Sequence, residues 1–356
     1  MLEHAFPADA ILDRSSIIDF LRRAITAAEA LPRGALHSRR SSPAGIPLEL
    51  WADKVAEADL YAARLADSPI AASAKPTRIY VLCQNDTPAV FEEAVWADGA
   101  CDAALFYAIL AEAGLRAAYP FRPHVWLALD FDAGVGVQLV RSSNDLPAWH
   151  AGAPLRQHLH WLLRARGQRL AHAASLGRTG RGILLLGHGG AGKSGSTLAG
   201  LAVGLQTVGD DYLALGGLTP PVARPLFRVI KQDRAGLARI AKLPEYTASL
   251  PENWKNKIEV DPTEIFPNCF ADMLEICAIV LPRIVHAPRP VLTEASGGEA
   301  MRALMRSNLF QFPGETEDGI EYYAALLRHL PIYRLELSDS AADSGSALAD
   351  FIDALP

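Results

Sequence analysis

The sequence predicts an α/β protein in which a glycine-rich loop joins a buried strand to a helix. The apolar run over residues 182–186 ends at the first glycine of this loop, as a strand buried on both faces does. After the loop, Ala and Leu recur at helical spacing over residues 194–205. The length of 356 residues leaves room for a second domain of ordinary size. We therefore expect an α+β accessory domain over residues 1–150, ahead of an α/β domain over residues 151–356.

The N-terminal region shows helix and strand signals but no motif that indicates its chemistry. Helical patterns occupy residues 17–30, 50–65, 88–96 and 102–113. Strand patterns occupy residues 78–84, 124–132 and 136–141, and Asp132-Ala133-Gly134 predicts a hairpin between the last two. Both substrate presentation and regulation stay open as roles for this region.

The C-terminal region alternates helices and strands around the glycine-rich loop. An amphipathic helix is predicted over residues 155–171, ahead of the loop. After the loop helix, strands are predicted over residues 207–215, 222–230, 276–281 and 332–337. Further helices are predicted over residues 234–240, 298–309 and 322–330, with a loop-rich stretch over residues 244–267.

The loop itself matches the pattern G-x-x-x-x-G-K-[ST]. Glycines allow the backbone to wrap closely around a phosphate group, and the following helix directs its positive end toward the anion. The Lys would contact the β- and γ-phosphates, and the Ser hydroxyl would bind Mg²⁺. We expect a nucleotide to contact the run Gly187, His188, Gly189, Gly190, Ala191, Gly192, Lys193, Ser194 and Gly195.

Two adjacent acids, Asp210 and Asp211, follow Lys193 by only 17 and 18 residues. A single helix separates them from the loop, so we expect them to return on the next strand toward the same phosphates. One carboxylate can hold Mg²⁺ while the other accepts the proton of an attacking hydroxyl. The alternative is a strand-end pair that caps a turn.

Composition excludes several classes of function. A hydrophobic content of 50% with 21% charged residues is typical of a folded globular protein, and a net charge of −6 does not suggest a nucleic-acid binder. The four cysteines show no metal-ligand spacing and are expected to be reduced and buried. Residues 1–10 do not resemble a signal peptide, and no apolar run is long enough to cross a bilayer. We expect a cytoplasmic protein with no membrane partner.

The order of these motifs resembles the catalytic domain of HPr kinase/phosphorylase and related kinases. The resemblance rests on His172-Ala-Ala, the run 182–186, the glycine-rich loop and Gly209-Asp210-Asp211, and it covers about residues 155–215. It implies a fold shared with phosphoenolpyruvate carboxykinase. Residues 1–150 do not resemble the regulatory domain of that enzyme, and its second signature is missing after Asp211. These departures argue against HPr as the substrate and against an efficient phosphorylase activity.

The resemblance also implies roles for individual residues, with ATP and Mg²⁺ as cofactors. Asp210 would be the general base and Asp211 a metal ligand beside Ser194, although the two acids could exchange roles. Lys193 would neutralise charge, and His172 would lie near the phosphates. Members of such families often form oligomers, so a homo-oligomer is a candidate assembly, although no coiled coil or marked apolar patch points to one.

Several other residues are weaker candidates. Among the cations, Arg228 and Lys231 lie three apart near a strand end, so only one should reach the phosphates, and Arg283 and Arg289 follow a buried strand with His286. Lys255-Asn256-Lys257 could form a substrate loop but is expected at the surface. His158 and His160 are two apart on a helix, so they should not share a metal.

These observations predict a kinase that transfers the γ-phosphoryl group of ATP to a hydroxyl, for which we favour a serine of a peptide or small protein. One alternative is a kinase that acts on a metabolite with the same site. Another is a nucleotide-binding regulatory module that transfers no phosphate. The paired acids favour an enzyme, because a sensor needs a magnesium ligand but no base.

Overall fold

The chain is a mixed α/β protein. The computed structural model describes residues 14–86, 103–121, 125–142, 146, 150–253, 255–309 and 316–355. The predicted helix over residues 88–96 lies outside the described residues. No helix in the described part of the chain is both long enough and apolar enough to cross a membrane.

The N-terminal part forms a six-stranded sheet with helices on both faces. Its helices are α1 (Arg14–Glu29), α2 (Val55–Arg64) and α3 (Ala103–Glu112). Its strands are β1 (His37–Ser41), β2 (Leu48–Ala52), β3 (Thr77–Cys83), β4 (Leu115–Phe121), β5 (Val125–Asp130) and β6 (Val135–Val140). The strand order is β1-β2-β3-β6-β5-β4, in which β2, β3 and β6 are parallel neighbours and the remaining pairs are antiparallel.

The C-terminal part is built on an eight-stranded sheet and a two-stranded one. Its helices are α4 (Arg156–Arg164), α5 (Lys193–Ala202), α6 (Arg234–Ala238), α7 (Leu243–Thr247), α8 (Gly297–Leu304), α9 (Thr316–His329) and α10 (Ala341–Asp353). Its strands are β7 (Gln168–Ala171), β8 (Ala174–Arg178), β9 (Arg181–Leu185), β10 (Leu213–Gly216), β11 (Val222–Pro225), β12 (Ile230–Gln232), β13 (Ile258–Val260), β14 (Leu274–Ala287), β15 (Val291–Glu294) and β16 (Ile332–Ser338). Strands β12 and β13 pair separately from the others.

Strand β9 lies inside the larger sheet, where it leads to the glycine-rich loop. It is parallel to β14 and antiparallel to β8. Ile183 and Leu185 belong to the core that α5 and α10 cover, whereas Leu184 and Leu186 belong to the core under α8 and α9. Because both faces are covered, every inner residue of the strand is apolar. The strand therefore holds the start of the loop at a fixed position.

One of the hydrophobic clusters contains residues from both sheets, and we call it the shared core. Ile79 and Val81 of β3 pack in the same cluster as Leu159 of α4 and Phe227 from the larger sheet's connections. His158 of α4 also hydrogen-bonds through Nε2 to the carbonyl oxygens of Ala128 and Val137, at 3.2 and 3.1 Å. Helix α4 thus packs against the N-terminal sheet although it follows residue 150. The division at residue 150 stays a prediction.

Most predicted elements are confirmed. The bounds of α3, β3 and β16 lie within a few residues of the predicted ones, whereas β14 extends beyond the end predicted at residue 281. The predicted hairpin is formed by antiparallel β5 and β6. The sequence patterns missed β1, β4, β8, β15 and α10, and the stretch over residues 244–267 that was predicted to be loop-rich contains most of α7 and all of β13.

Four predicted elements were wrong in extent. The helix predicted over residues 50–65 begins as strand β2, where Leu48, Leu50 and Ala52 are buried in alternation. The helix predicted over residues 155–171 ends at Arg164, because Gly167 adopts a φ of 68° and β7 follows. The strand predicted over residues 222–230 is split into β11 and β12. Of the strand predicted over residues 207–215, only the part from Leu213 onward is observed as β10, so both acids precede the strand.

Candidate functional site

The glycine-rich loop (residues 187–194) connects β9 to α5, in the strand–loop–helix order that phosphate binding requires. Gly190 and Gly192 have φ angles of 86° and 107°, in the left-handed region that favours glycine. A Cβ on Gly192 would also lie 2.5 Å from Leu337 Cδ1, so a larger residue there would displace that side chain in addition to straining the backbone. The glycines at positions 190 and 192 therefore allow the backbone conformation of the loop.

Lys193 begins α5 and bends back over the loop. Its Nζ donates to the carbonyl oxygen of Gly187 at 2.6 Å, and the side chain is almost fully buried. Burial lowers the pKa of this ammonium group, while the nearby Asp210 and Asp211 oppose that shift. His188 is exposed, and its Nδ1 is hydrogen-bonded to Gly189 O at 2.8 Å. The loop thus presents an ammonium group at its centre.

The two acids lie in a tight turn ahead of β10 rather than on a strand. Gly209 has a φ of 152°, and a Cβ there would lie 2.8 Å from the carbonyl oxygen of Tyr212. Asp211 has a φ of 66°, which is uncommon for a residue other than glycine. The Thr207 hydroxyl supports the turn by donating to Ser175 O and accepting from Gly209 N, at 2.8 and 2.9 Å. This turn directs the two neighbouring carboxylates to different positions.

Asp210 points beneath the loop and contacts the helix start. The Ser194 hydroxyl donates to Asp210 Oδ2 at 2.7 Å. The other carboxylate oxygen, Oδ1, is buried and has no hydrogen-bond partner. Burial, followed by the charge of Asp211, raises the pKa of Asp210 well above its usual range.

These oxygens fit a magnesium ion. Mg²⁺ prefers oxygen ligands, and Ser194 Oγ and Asp210 offer a hydroxyl and an unpaired carboxylate oxygen at the end of the loop. No group of three or more His, Cys, Asp or Glu among the described residues could hold a metal ion. A magnesium site beside a nucleotide does not need one, because phosphates and waters supply most of the ligands.

Asp211 faces the cavity instead, surrounded by cationic and aromatic side chains. Its Oδ2 lies 3.6 Å from Lys231 Nζ, and its Oδ1 lies 3.9 Å from His172 Nε2. Burial alone would raise the pKa of Asp211, but Lys231, His172 and Lys193 outweigh it and lower the pKa below its usual value. Asp211 is therefore a carboxylate at neutral pH.

His172 lies between Asp211 and Tyr212. Its ring packs edge-on against Tyr212, with ring centroids 5.1 Å apart, and its backbone N–H donates to Asn308 Oδ1 at 2.6 Å. Burial, and then the charge of Lys193, lowers the pKa of His172 to about 4. The imidazole is thus neutral at pH 7 and can donate a proton from only one ring nitrogen.

Lys193, Ser194, Asp211 and His172 line one cavity of about 790 Å³. This volume is within the range of small-molecule sites. Of the other predicted nucleotide contacts, the lining includes His188, Gly189, Gly190, Gly192 and Gly195 but neither Gly187 nor Ala191, and it does not include Asp210.

The lining includes Lys231 but neither Arg228, which pairs with Asp261 at 3.0 Å, nor Arg283 or Arg289, which are exposed. That only one of Arg228 and Lys231 reaches the phosphates stays a prediction.

The structure adds lining residues that the sequence did not single out as site residues. They include Arg156, Gln232, Asp233, Arg239 and Asn253. Lys255 and Lys257, which were expected at the surface, also line the cavity. The pair of lysines in Lys255-Asn256-Lys257 was an available signal, whereas Arg156 looked like an ordinary polar position on an amphipathic helix.

His158 and His160 are both buried in α4 and belong to the shared core rather than to the cavity. Burial lowers the pKa of His158 to about 4 and that of His160 to about 3. The expectation that His158 and His160 do not share a metal ion stays a prediction.

Comparisons with known proteins add little to this geometry. No family model matches the chain, and no curated protein matches it. Among solved structures, the chain is similar to the Hpr(Ser) kinase/phosphatase from Coxiella burnetii, with 13% identity and a TM-score of 0.24. The match covers 48% of this chain and 85% of that chain. A TM-score of 0.24 is too low to establish a shared fold, so the functional proposal rests on the residues of the cavity.

Proposed function

We propose that this chain is an ATP- and Mg²⁺-dependent kinase that transfers the γ-phosphoryl group to a hydroxyl. One observation carries the proposal: Ser194 and Asp210 are hydrogen-bonded at the end of the glycine-rich loop, with Asp211 beside them facing a basic cavity. A loop of this kind binds phosphates through its backbone N–H groups and its lysine. The favoured acceptor is a serine of a peptide or small protein, and a metabolite hydroxyl is the alternative.

In this proposal, Asp210 is the metal ligand and Asp211 is the base, which is the opposite of the roles that the resemblance implied. Asp210 and Ser194 hold the magnesium ion, because Asp210 is buried beside the serine hydroxyl. Magnesium bound there would neutralise charge on the β- and γ-phosphates. Asp211 accepts the proton, because it is a carboxylate at neutral pH and faces the cavity. A weak base is sufficient, since phosphoryl transfer depends chiefly on positioning and charge stabilisation.

Phosphoryl transfer is a displacement at the γ-phosphorus. The acceptor oxygen bonds to the γ-phosphorus while its proton passes to the Asp211 carboxylate. The bond from the γ-phosphorus to the oxygen that bridges to the β-phosphate breaks, and ADP leaves with the electron pair. Lys193 and Lys231 stabilise the negative charge on the phosphoryl oxygens, and neutral His172 orients Asp211 or donates to one of those oxygens.

The test is transfer of label from γ-labelled ATP into an extract of the source cells, resolved for peptides and for small molecules. We expect Asp211→Asn to reduce transfer about 10²- to 10⁴-fold while ATP affinity changes only a few-fold. Asp233→Asn is the matched control, because this carboxylate lines the same cavity but caps α6 by accepting from Gly236 N at 2.7 Å. It should leave transfer nearly unchanged.

The distribution of the label distinguishes the candidate functions. Label in a peptide or protein supports the favoured acceptor, and label in an organic small molecule supports the metabolite alternative. Label only in inorganic phosphate, or in nothing, contradicts the kinase proposal and leaves an ATPase or a regulatory nucleotide-binding module.

A further inference from the structure

The chain turns back on itself just before β13 and carries a lysine to the cavity. Glu252 and Ile258 face each other across this turn as an isolated antiparallel bridge. Inside the turn, the Asn253 N–H donates to the carbonyl oxygen of Lys257 at 2.7 Å, and the Asn256 N–H donates to that of Asn253 at 2.9 Å. Lys257, on the returning arm, lines the cavity. The backbone of the turn therefore fixes where this lysine begins.

The side chain of Asn253 holds the turn together. Its Oδ1 accepts from the backbone N–H groups of Lys255 and Lys257, at 3.0 and 3.2 Å. Its Nδ2 donates to Glu259 Oε1 at 3.3 Å. An amide that accepts at one end and donates at the other links the backbone of Lys257 to the carboxylate of Glu259.

Glu259 joins this turn to the N-terminal part of the chain. Its Oε2 lies 3.1 Å from Nη2 of Arg64, the last residue of α2. Only 24% of the Arg64 side chain and 13% of the Glu259 side chain are exposed, so water screens this ion pair less than one on the surface. The carbonyl oxygen of Arg64 also accepts from the Arg228 N–H at 2.9 Å. A line of contacts thus runs from α2 through Glu259 and Asn253 to Lys257.

Lys257 lies among the groups that the proposed function assigns to phosphoryl transfer. It lines the same cavity as Lys193 and Asp211. Burial raises the pKa of Asp210 and of Asp211, and the charge of Lys257 is one of those that oppose this rise. Negative charge on the oxygens of a transferred phosphoryl group is stabilised by a cation that is already in position.

We propose that Lys257 binds the phosphoryl group that is transferred, and that Arg64 is a positioning residue for it. The inference rests on the proposed function, because it assigns a further catalytic residue to the same cavity. The ion pair of Arg64 with Glu259 holds the carboxylate to which Asn253 donates. The N-terminal part of the chain thereby fixes the turn that presents Lys257 to the γ-phosphate.

The test is calorimetric titration of the full chain with ADP and with the non-hydrolysable imido analogue of ATP, both with magnesium. Only the analogue has a γ-phosphate, so the ratio of the two dissociation constants measures the contacts with that group. We expect wild type to bind the analogue more tightly than ADP. Lys257→Gln should lower this preference about tenfold, through weaker binding of the analogue alone.

Arg64→Gln should lower the same preference by a smaller factor, whereas Arg64→Lys should retain most of it because lysine keeps the charge. In a chain that already carries Lys257→Gln, Arg64→Gln should have no further effect. Arg78→Gln is the matched control, because Arg78 is also partly buried and pairs with Glu29 at 2.6 Å within the N-terminal part. If Arg64→Gln does not fold, Glu259→Gln weakens the same ion pair and takes its place.

Equal binding of ADP and the analogue by wild type overturns the proposal. An unchanged preference in Lys257→Gln overturns it too, as does equal weakening of both nucleotides. An unchanged preference in Arg64→Gln, or an effect that adds to that of Lys257→Gln, overturns the positioning role of Arg64. An equal effect of Arg78→Gln does the same, because the loss would then follow from any weakened ion pair in the N-terminal part. Failure of wild type to bind either nucleotide contradicts the proposed function instead.

Discussion

At the scale of single residues, the site depends on a glycine that belongs to no motif. Gly152 lies against the Lys231 side chain, and a Cβ there would lie 2.4 Å from Lys231 Cε and 2.5 Å from its Nζ. Lys231 Nζ in turn lies 3.6 Å from Asp211 Oδ2. Because the end of a lysine side chain can move, an added methyl group would displace the ammonium group from Asp211 rather than disrupt the fold.

We therefore expect Gly152→Ala to reduce phosphoryl transfer about tenfold while changing the free energy of unfolding by less than about 1 kcal/mol. Transfer kinetics and urea unfolding of the same preparation measure both quantities. Gly34→Ala is the control, because its Cβ would meet nothing within 4 Å. A large loss of stability with Gly152→Ala would show that the glycine serves packing and not Lys231.

The residues that the sequence could predict are those whose signal is local. The glycine-rich loop follows from eight consecutive residues, and the acid pair follows from its distance to Lys193. Gly152 and Arg156 could not be found in this way, because their importance comes from contacts with Lys231 and Tyr212, which are distant in the chain. The orientation of Asp210 and Asp211 depends on the left-handed φ of Asp211, which no pattern of residue types indicates.

At the scale of elements, the helix that begins in the glycine-rich loop packs closely on the last helix. A Cβ on Gly345 of α10 would lie only 2.4 Å from the backbone carbonyl oxygen of Ala199 in α5. Backbone cannot move aside as a side-chain end can, so a larger residue there must shift one helix against the other. This close contact helps to fix the direction in which α5 leaves the loop.

We expect Gly345→Ala to lower the free energy of unfolding by about 1–3 kcal/mol through overpacking. Gly297→Ala, at the first position of α8, should instead be neutral or slightly stabilising, because its Cβ would meet nothing within 4 Å and alanine favours helix. Urea unfolding of the two variants and wild type measures the difference. A neutral Gly345→Ala would contradict the close packing of α5 and α10.

Elements with a strong hydrophobic period could be predicted, and those with mixed signals could not. Strands β3 and β16 carry clear strand patterns and were predicted within one or two residues of their ends. Strand β2 was interpreted as the start of a helix, because its five residues run directly into the helical pattern of α2. Strand β15, at the edge of the larger sheet, is largely exposed and gave no apolar signal.

At the scale of the whole molecule, the buried histidines make stability depend on pH. Burial lowers the pKa values of His150, His158 and His172 to about 4 and that of His160 to about 3, against 6.5 in an unfolded chain. Between these values the unfolded chain binds protons that the folded chain does not. The contribution of these histidines to stability is therefore complete above pH 6.5 and is lost as the pH falls toward 4, whereas protonation of Asp210, whose pKa is raised, acts in the opposite direction.

We expect the urea midpoint to fall steeply between pH 6.5 and 4, with each histidine contributing up to about 1.4 kcal/mol per pH unit. His158→Gln should make the dependence shallower, because glutamine can still donate to the carbonyl oxygens of Ala128 and Val137 but does not titrate in this range. His329→Gln, at an exposed position, is the control. The same dependence on pH in wild type and His158→Gln would contradict the burial of the His158 ring.

The joining of the two sheets is the feature of the whole molecule that sequence patterns could not provide. The patterns predicted an α/β protein, and the mixed α/β architecture agrees. They assigned α4 to the C-terminal domain, yet its histidine bonds to β5 and β6 and its first residue lines the cavity. The N-terminal sheet therefore contributes to the position of Arg156, which gives this accessory region a structural connection to the site.

Calorimetric titration of ATP into wild type, Lys193→Met and Ser194→Ala, each with magnesium and with a chelator, tests whether the glycine-rich loop binds a nucleotide. We predict that wild type binds ATP and that magnesium strengthens this binding at least tenfold. Lys193→Met should bind ATP more weakly under both conditions, while Ser194→Ala should lose mainly the effect of magnesium. If wild type binds no ATP, or if all three proteins bind it alike, the glycine-rich loop is not a nucleotide site and the protein is not an ATP-dependent kinase.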